Sequence, residues 1–99
     1  MAESEFKTKF RAKVTVMFRK SILDPQGAAV ERALKSHTAG DISFPEISSV
    51  RVGKVIELTI DGIDAGADAG SVEEKIKILA DRILANPVME EYTVAVEPL

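Results

Sequence analysis

Hydrophobic and polar residues alternate along the stretch from Lys9 to Arg19. The apolar positions of this stretch are Phe10, Ala12, Val14, Val16 and Phe18. A period of two places every second side chain on the same face of an extended chain. The pattern therefore predicts a first β-strand with one buried face.

A helix is predicted to follow, beginning at Asp24-Pro25 and continuing to about Thr38. Aspartate is a favoured N-cap residue, and proline suits the first helical position because its φ is already helical and an N–H is not needed there. The predicted apolar stripe consists of Gln26, Val30, Leu34 and His37. Because the charged residues fall on the opposite side, we expect this helix to lie on an apolar surface.

The second strand is predicted from five apolar residues of one parity, which are Val50, Val52, Ile56, Leu58 and Ile60. Their common phase indicates a single long strand that passes through Gly53 without a one-residue bulge. A tight turn at Gly53-Lys54, which would divide the segment into two short strands, is the alternative. The segments 40–49 and 62–70 are predicted to be loops, since turn-forming residues are frequent in both.

Ser71 and Glu74 have the spacing of a capping box, which predicts that the second helix begins there. Its predicted apolar stripe is Val72, Ile76, Leu79 and Ile83, widened by Ala80 and Leu84. Asn86-Pro87 is expected to end the helix, because the residue before a proline is disfavoured in the α region. The last predicted strand contains Tyr92, Val94 and Val96 on its apolar side.

The order β-α-β-α-β predicts an α+β fold within a single domain, residues 1–99. We expect a two-layer α/β sandwich related to ferredoxin-like folds, with a mainly antiparallel sheet and two helices on one face. The middle of the other face would present Thr15, Met17, Val55, Thr59, Thr93 and Ala95. Because this face is less charged than a solvated sheet, it predicts self-association between sheets.

Composition excludes several classes of function. The net charge of −3 gives no positive field for a nucleic-acid backbone. The absence of cysteine rules out disulfides and thiolate chemistry, and it favours a cytoplasmic protein. No apolar run approaches the roughly 20 residues of a membrane span, so we expect no membrane association.

The candidate chemistry is sparse. His37 is the only histidine, and it has no base or acid partner at a fixed spacing, so a structural role is favoured over acid–base catalysis. Asp61, Asp64 and Asp68 do not have the spacing of a calcium-binding loop. The glycine-containing segments 51–54 and 62–66 match no phosphate-binding motif. We therefore expect no catalytic, cofactor-binding or metal-binding residues in this chain.

Four stretches of the chain contain recognisable motifs: Ile22–Gly27, Val50–Leu58, Leu84–Tyr92 and Val94–Glu97. The occurrence of these motifs together in one short chain identifies a protein family far more specifically than any one of them does. Their Asp-Pro-Gln-Gly, Arg-Val-Gly-Lys and Ala-Asn-Pro-Val motifs resemble the PurS family, the small subunits of bacterial and archaeal phosphoribosylformylglycinamidine (FGAM) synthase. The resemblance covers nearly the whole chain. It departs from the usual pattern in the segments 36–49 and 62–70, which are predicted loops.

The resemblance implies a non-catalytic subunit in de novo purine biosynthesis. In that family a large synthetase subunit uses ATP and magnesium, and a glutaminase subunit supplies ammonia. The small subunit forms a homodimer or homotetramer and joins the other two. The matching positions that we expect to contact partners are Asp24, Pro25, Gln26, Gly27, Arg51, Gly53, Lys54, Asn86 and Pro87.

The same positions also have local interpretations. Asp24-Pro25 and Asn86-Pro87 would cap and end helices, and Gly27 would allow close approach of another backbone segment. Arg51 and Lys54 would form charge-assisted bonds across a subunit boundary or a local ion pair. An alternative function is a ligand-sensing module that binds a small anion between these two cations and the first helix. An independent enzyme that uses His37 is the weakest hypothesis.

Overall fold

A computed structural model describes residues 7–36, 42, 44–64 and 67–99. The elements are β1 (Lys7–Phe18), α1 (Pro25–Ser36), β2 (Gly53–Asp64), α2 (Ala69–Leu79), a π-helical turn (Ala80–Leu84) and β3 (Glu90–Pro98). The three strands form one antiparallel sheet in the order β2-β1-β3. The predicted α+β class with an antiparallel sheet is confirmed.

The core lies between one face of the sheet and α2. The alternation predicted for the first strand is confirmed, because Phe10, Ala12, Val14 and Val16 are all buried. Val72, Ile76 and Ala80 of the second helical segment and Ala85 after it complete the buried cluster. β1 is the central strand, and it therefore contributes the most deeply buried side chains.

β2 is one strand without the alternative turn at Gly53-Lys54, but the prediction that the strand passes through Gly53 was wrong. It begins at Gly53, opposite Met17, and residues 50–52 lie outside the sheet. It also continues to Asp64, into the segment predicted to be a loop. The physical reason is that β1 begins earlier than predicted and supplies pairing partners, after a register shift between Thr8 and Phe10.

α2 begins earlier than the predicted capping box. Asp68 is the N-cap residue, and its carboxylate accepts a hydrogen bond from the Ser71 backbone N–H at 2.8 Å. The Ser71 hydroxyl donates to the Asp68 carbonyl oxygen at 3.1 Å. The prediction that Ser71 caps the helix was wrong, since an aspartate three residues earlier satisfies the free N–H group and lengthens the helix.

The π-helical turn changes which apolar residues of the second helix are buried. It is closed by a 2.8 Å hydrogen bond from the Ala85 N–H to the Ala80 carbonyl oxygen, five residues apart. Ala80 and Ala85 are consequently buried, whereas Leu79 is 42% and Ile83 72% exposed. The predicted stripe was wrong at these two positions. The predicted end of the helix is confirmed, because Ala85 has an extended backbone.

α1 begins at Pro25 as predicted, and its predicted last residues, including His37, lie outside the described residues. Gly27 is the buried residue of this helix, while Val30 and Leu34 are 41% and 45% exposed. The expectation that both helices pack on the sheet was therefore wrong for α1 within one chain. The radius of gyration of 18.9 Å agrees with this open arrangement, because about 13 Å is typical of a compact 100-residue domain.

Candidate functional site

Three segments that are distant in the sequence meet at one end of the sheet: residues 18–27, 50–54 and 86–92. We call this region the motif end. Arg19 links the first segment to the third, and Asp24 links the first to the second. The structure therefore brings together all nine positions predicted to contact partners, although they come from three separate motifs.

Asp24 holds the start of α1 against the segment that leads into β2. One carboxylate oxygen accepts a hydrogen bond from the Gly27 N–H at 2.9 Å, and the other accepts from the Val52 N–H at 2.8 Å. The two backbone donors stabilise the charged form, so they lower the pKa of the Asp24 carboxyl below its ordinary value. Asp24 is thus an N-cap, as predicted, and also a tertiary link.

Gly27 allows the backbone of residue 50 to approach α1 closely. A Cβ atom at this position would collide with the Val50 carbonyl oxygen and would lie 2.6 Å from an Asp24 carboxylate oxygen. The predicted close approach of another backbone segment is confirmed. Any side chain here would separate the first turn of α1 from residues 50–52.

Arg51 is used within the chain. Its guanidinium donates a hydrogen bond to the Phe18 carbonyl oxygen and lies 3.8 Å from the Glu91 carboxylate. This geometry favours the local ion pair over the bond across a subunit boundary. Arg51 therefore joins the ends of all three strands.

Gly53 and Lys54 begin β2 beside this ion pair. A Cβ at Gly53 would collide with the Met17 sulfur and lie 2.5 Å from the Val16 carbonyl oxygen. Lys54 is exposed, and it lines a hollow of about 230 Å³ together with Gln26 and Glu90. Gly53 is therefore packed against β1, whereas the side chain of Lys54 faces outward.

The turn that contains Asn86 and Pro87 is fixed by its own hydrogen bonds. The Asn86 side-chain oxygen accepts from the Val88 N–H at 3.0 Å, and the Glu90 carboxylate accepts from the Asn86 N–H at 2.7 Å. Arg19 then donates from its guanidinium to the Pro87 carbonyl oxygen at 2.7 Å. The motif therefore forms a shaped turn, not simply the end of a helix.

Sequence reasoning missed Arg19, Leu23 and Val88. Arg19 is the first residue after β1, and its long side chain could have been recognised as a link to a neighbouring turn only once the strand order was known. Leu23 and Val88 are each 78% exposed. Their position inside two of the matching motifs was an available indication, because an exposed large apolar residue has no role in the core of its own chain.

The motif end does not favour the predicted anion site. The Asp24 carboxylate already accepts a hydrogen bond from the Gly27 N–H at the N-terminus of α1. The Arg51 guanidinium is already paired with the Glu91 carboxylate. Glu90 lines the same hollow as Lys54, so it adds negative charge where an anion would bind. A small anion would have to displace or approach carboxylates of the chain itself.

The residues predicted for self-association lie on one sheet face, opposite the core. They are Thr15, Met17, Val55, Thr59, Thr93 and Ala95. Thr15 pairs with both Val55 and Thr93, and Met17 is in the next row, so these four are contiguous. Thr59 and Ala95 are instead in rows that contain Arg11 and Lys13, whose ion pairs with Glu57 and Glu97 are 3.7–4.0 Å long. The uncharged patch is thus smaller than predicted.

The described parts of the chain contain no candidate metal centre. No three histidine, cysteine, aspartate or glutamate side chains there come together to hold a metal ion. No helix among the same residues is long and apolar enough to cross a membrane. Fold and site together define a small α+β protein in which three separate motifs meet at one end of an antiparallel sheet and leave Leu23 and Val88 exposed.

Comparison with known proteins identifies the family. Residues 11–98 match the family model described as PurS: phosphoribosylformylglycinamidine (FGAM) synthase. The subunit PurS of this synthase from Bacillus subtilis (strain 168) is 40% identical over 88 residues, which are 89% of this chain and 93% of the relative. This chain belongs to the PurS family of FGAM synthase subunits.

Solved structures agree with the assignment. The C2 crystal form of B. subtilis PurS has a TM-score of 0.66 and 38% identity, with 89% of this chain and 98% of that chain covered. A chain in the structure of PurLQS from Thermotoga maritima has a TM-score of 0.71 and 28% identity, with 90% and 98% covered. The fold of this chain is thus one already seen in this family.

Proposed function

We propose that this chain is a non-catalytic accessory subunit that joins the ATP-dependent synthetase subunit of FGAM synthase to its glutaminase subunit. The observation that carries the proposal is the convergence of the matching motifs on the motif end. Asp24, Gly27 and Arg51 shape this surface through contacts within the chain. Such a surface is suited to binding a protein.

The division of labour follows from the same proposal. The synthetase subunit binds ATP and magnesium, and the glutaminase subunit releases ammonia from glutamine. This chain holds the two together, so that ammonia reaches the synthetase without release into bulk water. The complex works in the cytoplasm. The absence of cysteine from this chain is compatible with that location.

The exposed apolar side chains of Leu23 and Val88 are the proposed anchors of the partner interface. Each lies in a segment that is held firmly, Leu23 between Arg19 and the Asp24 N-cap, and Val88 in the Asn86 turn. Rigid, exposed apolar residues gain the most from burial because little side-chain and loop ordering is lost on binding. Pro25, Gln26 and Pro87 are near them in the sequence and are also exposed.

The chain is also proposed to form a homodimer or homotetramer. The contiguous patch of Thr15, Met17, Val55 and Thr93 supports contact between sheets, and Val55 is 61% exposed in the single chain. A two-fold axis would place the same patch of two copies face to face.

Co-purification tests the partner surface. The chain is produced with the synthetase and glutaminase subunits as the wild type, as the Leu23→Lys/Val88→Lys double variant, and as Leu99→Lys. Leu99 is a matched control, since it is also an exposed apolar residue and it follows β3 at the opposite end of the sheet. We expect the double variant to lose both partners while Leu99→Lys retains them. Equal retention by all three proteins would contradict the proposed surface.

A further inference from the structure

Arg19 makes hydrogen bonds to both segments that carry the proposed anchors. Its backbone N–H donates to the Met89 carbonyl oxygen at 2.9 Å, and its own carbonyl oxygen accepts from the Ile22 N–H, also at 2.9 Å. Met89 directly follows the anchor Val88, and Ile22 directly precedes the anchor Leu23. One residue therefore connects two exposed apolar side chains that come from distant parts of the sequence.

The Arg19 side chain adds a second attachment to the turn at residues 86–89. Its Nε and Nη2 atoms both donate to the Pro87 carbonyl oxygen, at 3.3 and 2.7 Å, across 68 positions of the sequence. A charged donor forms a stronger hydrogen bond than a neutral one. The bonds at Asn86 fix the shape of the turn, but they stay within residues 86–90. The Arg19 bonds fix the position of the turn relative to residues 19–23.

This attachment matters more for binding than for the core of the chain. Arg19 is exposed and follows β1 directly, so its side chain adds little to the burial of apolar surface. A mobile anchor must be ordered when a partner binds, and this ordering reduces the affinity. A turn that is already held in place avoids that loss.

We propose that Arg19 is a positioning residue for partner binding, which holds the turn that carries Val88 at a fixed distance from Leu23. This inference rests on the proposed function of the motif end as the partner surface. Two anchors at a fixed separation bind as one unit, because the second contact forms without a further search. Arg19 acts through Val88 and needs no contact of its own with the partner.

The separation of the two anchors can be measured in the isolated chain. The chain contains no cysteine, so Leu23→Cys/Val88→Cys provides two defined sites for spin labels. Dilution with unlabelled chain restricts electron paramagnetic resonance to distances within one molecule. We expect Arg19→Ala to broaden the distance distribution, while Lys20→Ala, which removes a neighbouring exposed cation, leaves it unchanged. Equal distributions with and without the Arg19 side chain would overturn the positioning role.

Titration of the chain into purified synthetase and glutaminase subunits measures the effect on binding. Arg19→Ala should raise the concentration of chain that gives half-maximal FGAM synthase activity by about fivefold. The maximal activity should not change, because the variant still binds when it is in excess. Arg19→Lys should recover most of the loss, since its amine can donate to the same carbonyl oxygen. Lys20→Ala should behave as the wild type, which controls for the loss of a positive charge.

Two results of this titration would overturn the proposal. One is an Arg19→Ala variant with the half-maximal concentration of the wild type. The other is an equal increase in that concentration for Arg19→Ala and Lys20→Ala, which would show that only the positive charge of this region matters.

A double-mutant cycle distinguishes positioning from direct contact and from general destabilisation. If Arg19 acts through Val88, the Arg19→Ala/Val88→Ala variant should have the half-maximal concentration of Val88→Ala to within about twofold. Effects that multiply in the double variant would overturn the proposal. They would mean that Arg19 contacts the partner itself or stabilises the whole chain.

The measurement on the isolated chain separates this inference from the proposed accessory role. If Arg19→Ala leaves the distance distribution unchanged while the wild-type chain binds both partner subunits, only the positioning role is overturned. If Arg19→Ala broadens the distribution but the wild-type chain binds neither subunit, the accessory role is overturned, and Arg19 is still shown to hold the turn.

Discussion

The carboxylate of Asp24 bonds two segments that are 28 residues apart, the first turn of α1 and the residue before β2. Because the two backbone N–H donors bond to different carboxylate oxygens, the charged carboxylate accepts both bonds, whereas a neutral amide in the same position accepts only one. The N-cap was predictable from Asp24-Pro25. The hydrogen bond from Val52 could not be predicted, because it depends on where the chain returns to the sheet after the segment that follows α1.

The lowered pKa of Asp24 predicts an acid-dependent loss of stability. A carboxyl whose pKa is lower in the folded chain stabilises the fold above its unfolded pKa, and this contribution is lost as the pH falls through the folded pKa. We expect the melting temperature to decrease below about pH 4. In the Asp24→Asn variant, part of this decrease in melting temperature should disappear. Differential scanning calorimetry of both proteins across pH 2–7 measures the melting temperatures. An unchanged pH profile in the variant would contradict the assignment.

Gly27 and Gly70 provide a matched pair of glycines, each in the first turn of a helix. Gly27→Ala should destabilise the chain by about 1–3 kcal/mol, because the new methyl group collides with the Val50 carbonyl oxygen. Gly70→Ala should stabilise it by about 0.4–1 kcal/mol, since the nearest atom is 3.5 Å away and the unfolded chain loses entropy. Urea denaturation measures both changes. A neutral Gly27→Ala variant would show that α1 is not held against residues 50–52.

At the level of elements, the strands were more predictable than the helix faces. The alternation of β1 depends only on a period of two, and the burial of Val14 and Val16 follows it. The second helix changes its period at the π-helical turn, which is closed by the bond from the Ala85 N–H to the Ala80 carbonyl oxygen. A turn of this kind shifts the residues that follow it around the helix axis, so the exposure of Ile83 could not be read from a regular helical periodicity.

Substitution within α2 tests which face of the helix is buried. Ile76 is buried in the core, whereas Ile78 is half exposed. Ile76→Ala should cost about 2–5 kcal/mol in the free energy of unfolding because it leaves a cavity. Ile78→Ala should change it by less than about 0.5 kcal/mol. Thermal or urea denaturation of the two variants gives the comparison, and similar losses at both positions would contradict the assignment of the buried face.

At the level of the whole molecule, the candidate site was predicted as a set of positions but not as a surface. The resemblance supplied Asp24, Arg51 and Asn86, which come from separate motifs. Their convergence requires the strand order β2-β1-β3, which brings the end of the central strand beside both neighbours. The expected packing of α1 on the sheet is not seen in the single chain, because the sequence pattern indicates an apolar stripe and does not say which surface covers it.

The central claim is that the chain contributes contacts to FGAM synthase and no catalysis of its own. Glutamine-dependent formation of the amidine product is the most direct measurement, with purified synthetase and glutaminase subunits and increasing amounts of this chain. We predict that activity rises with added chain and saturates at a fixed ratio of subunits, while the chain alone gives no product. Full activity without the chain, or turnover by the chain in the absence of both partners, would contradict the account.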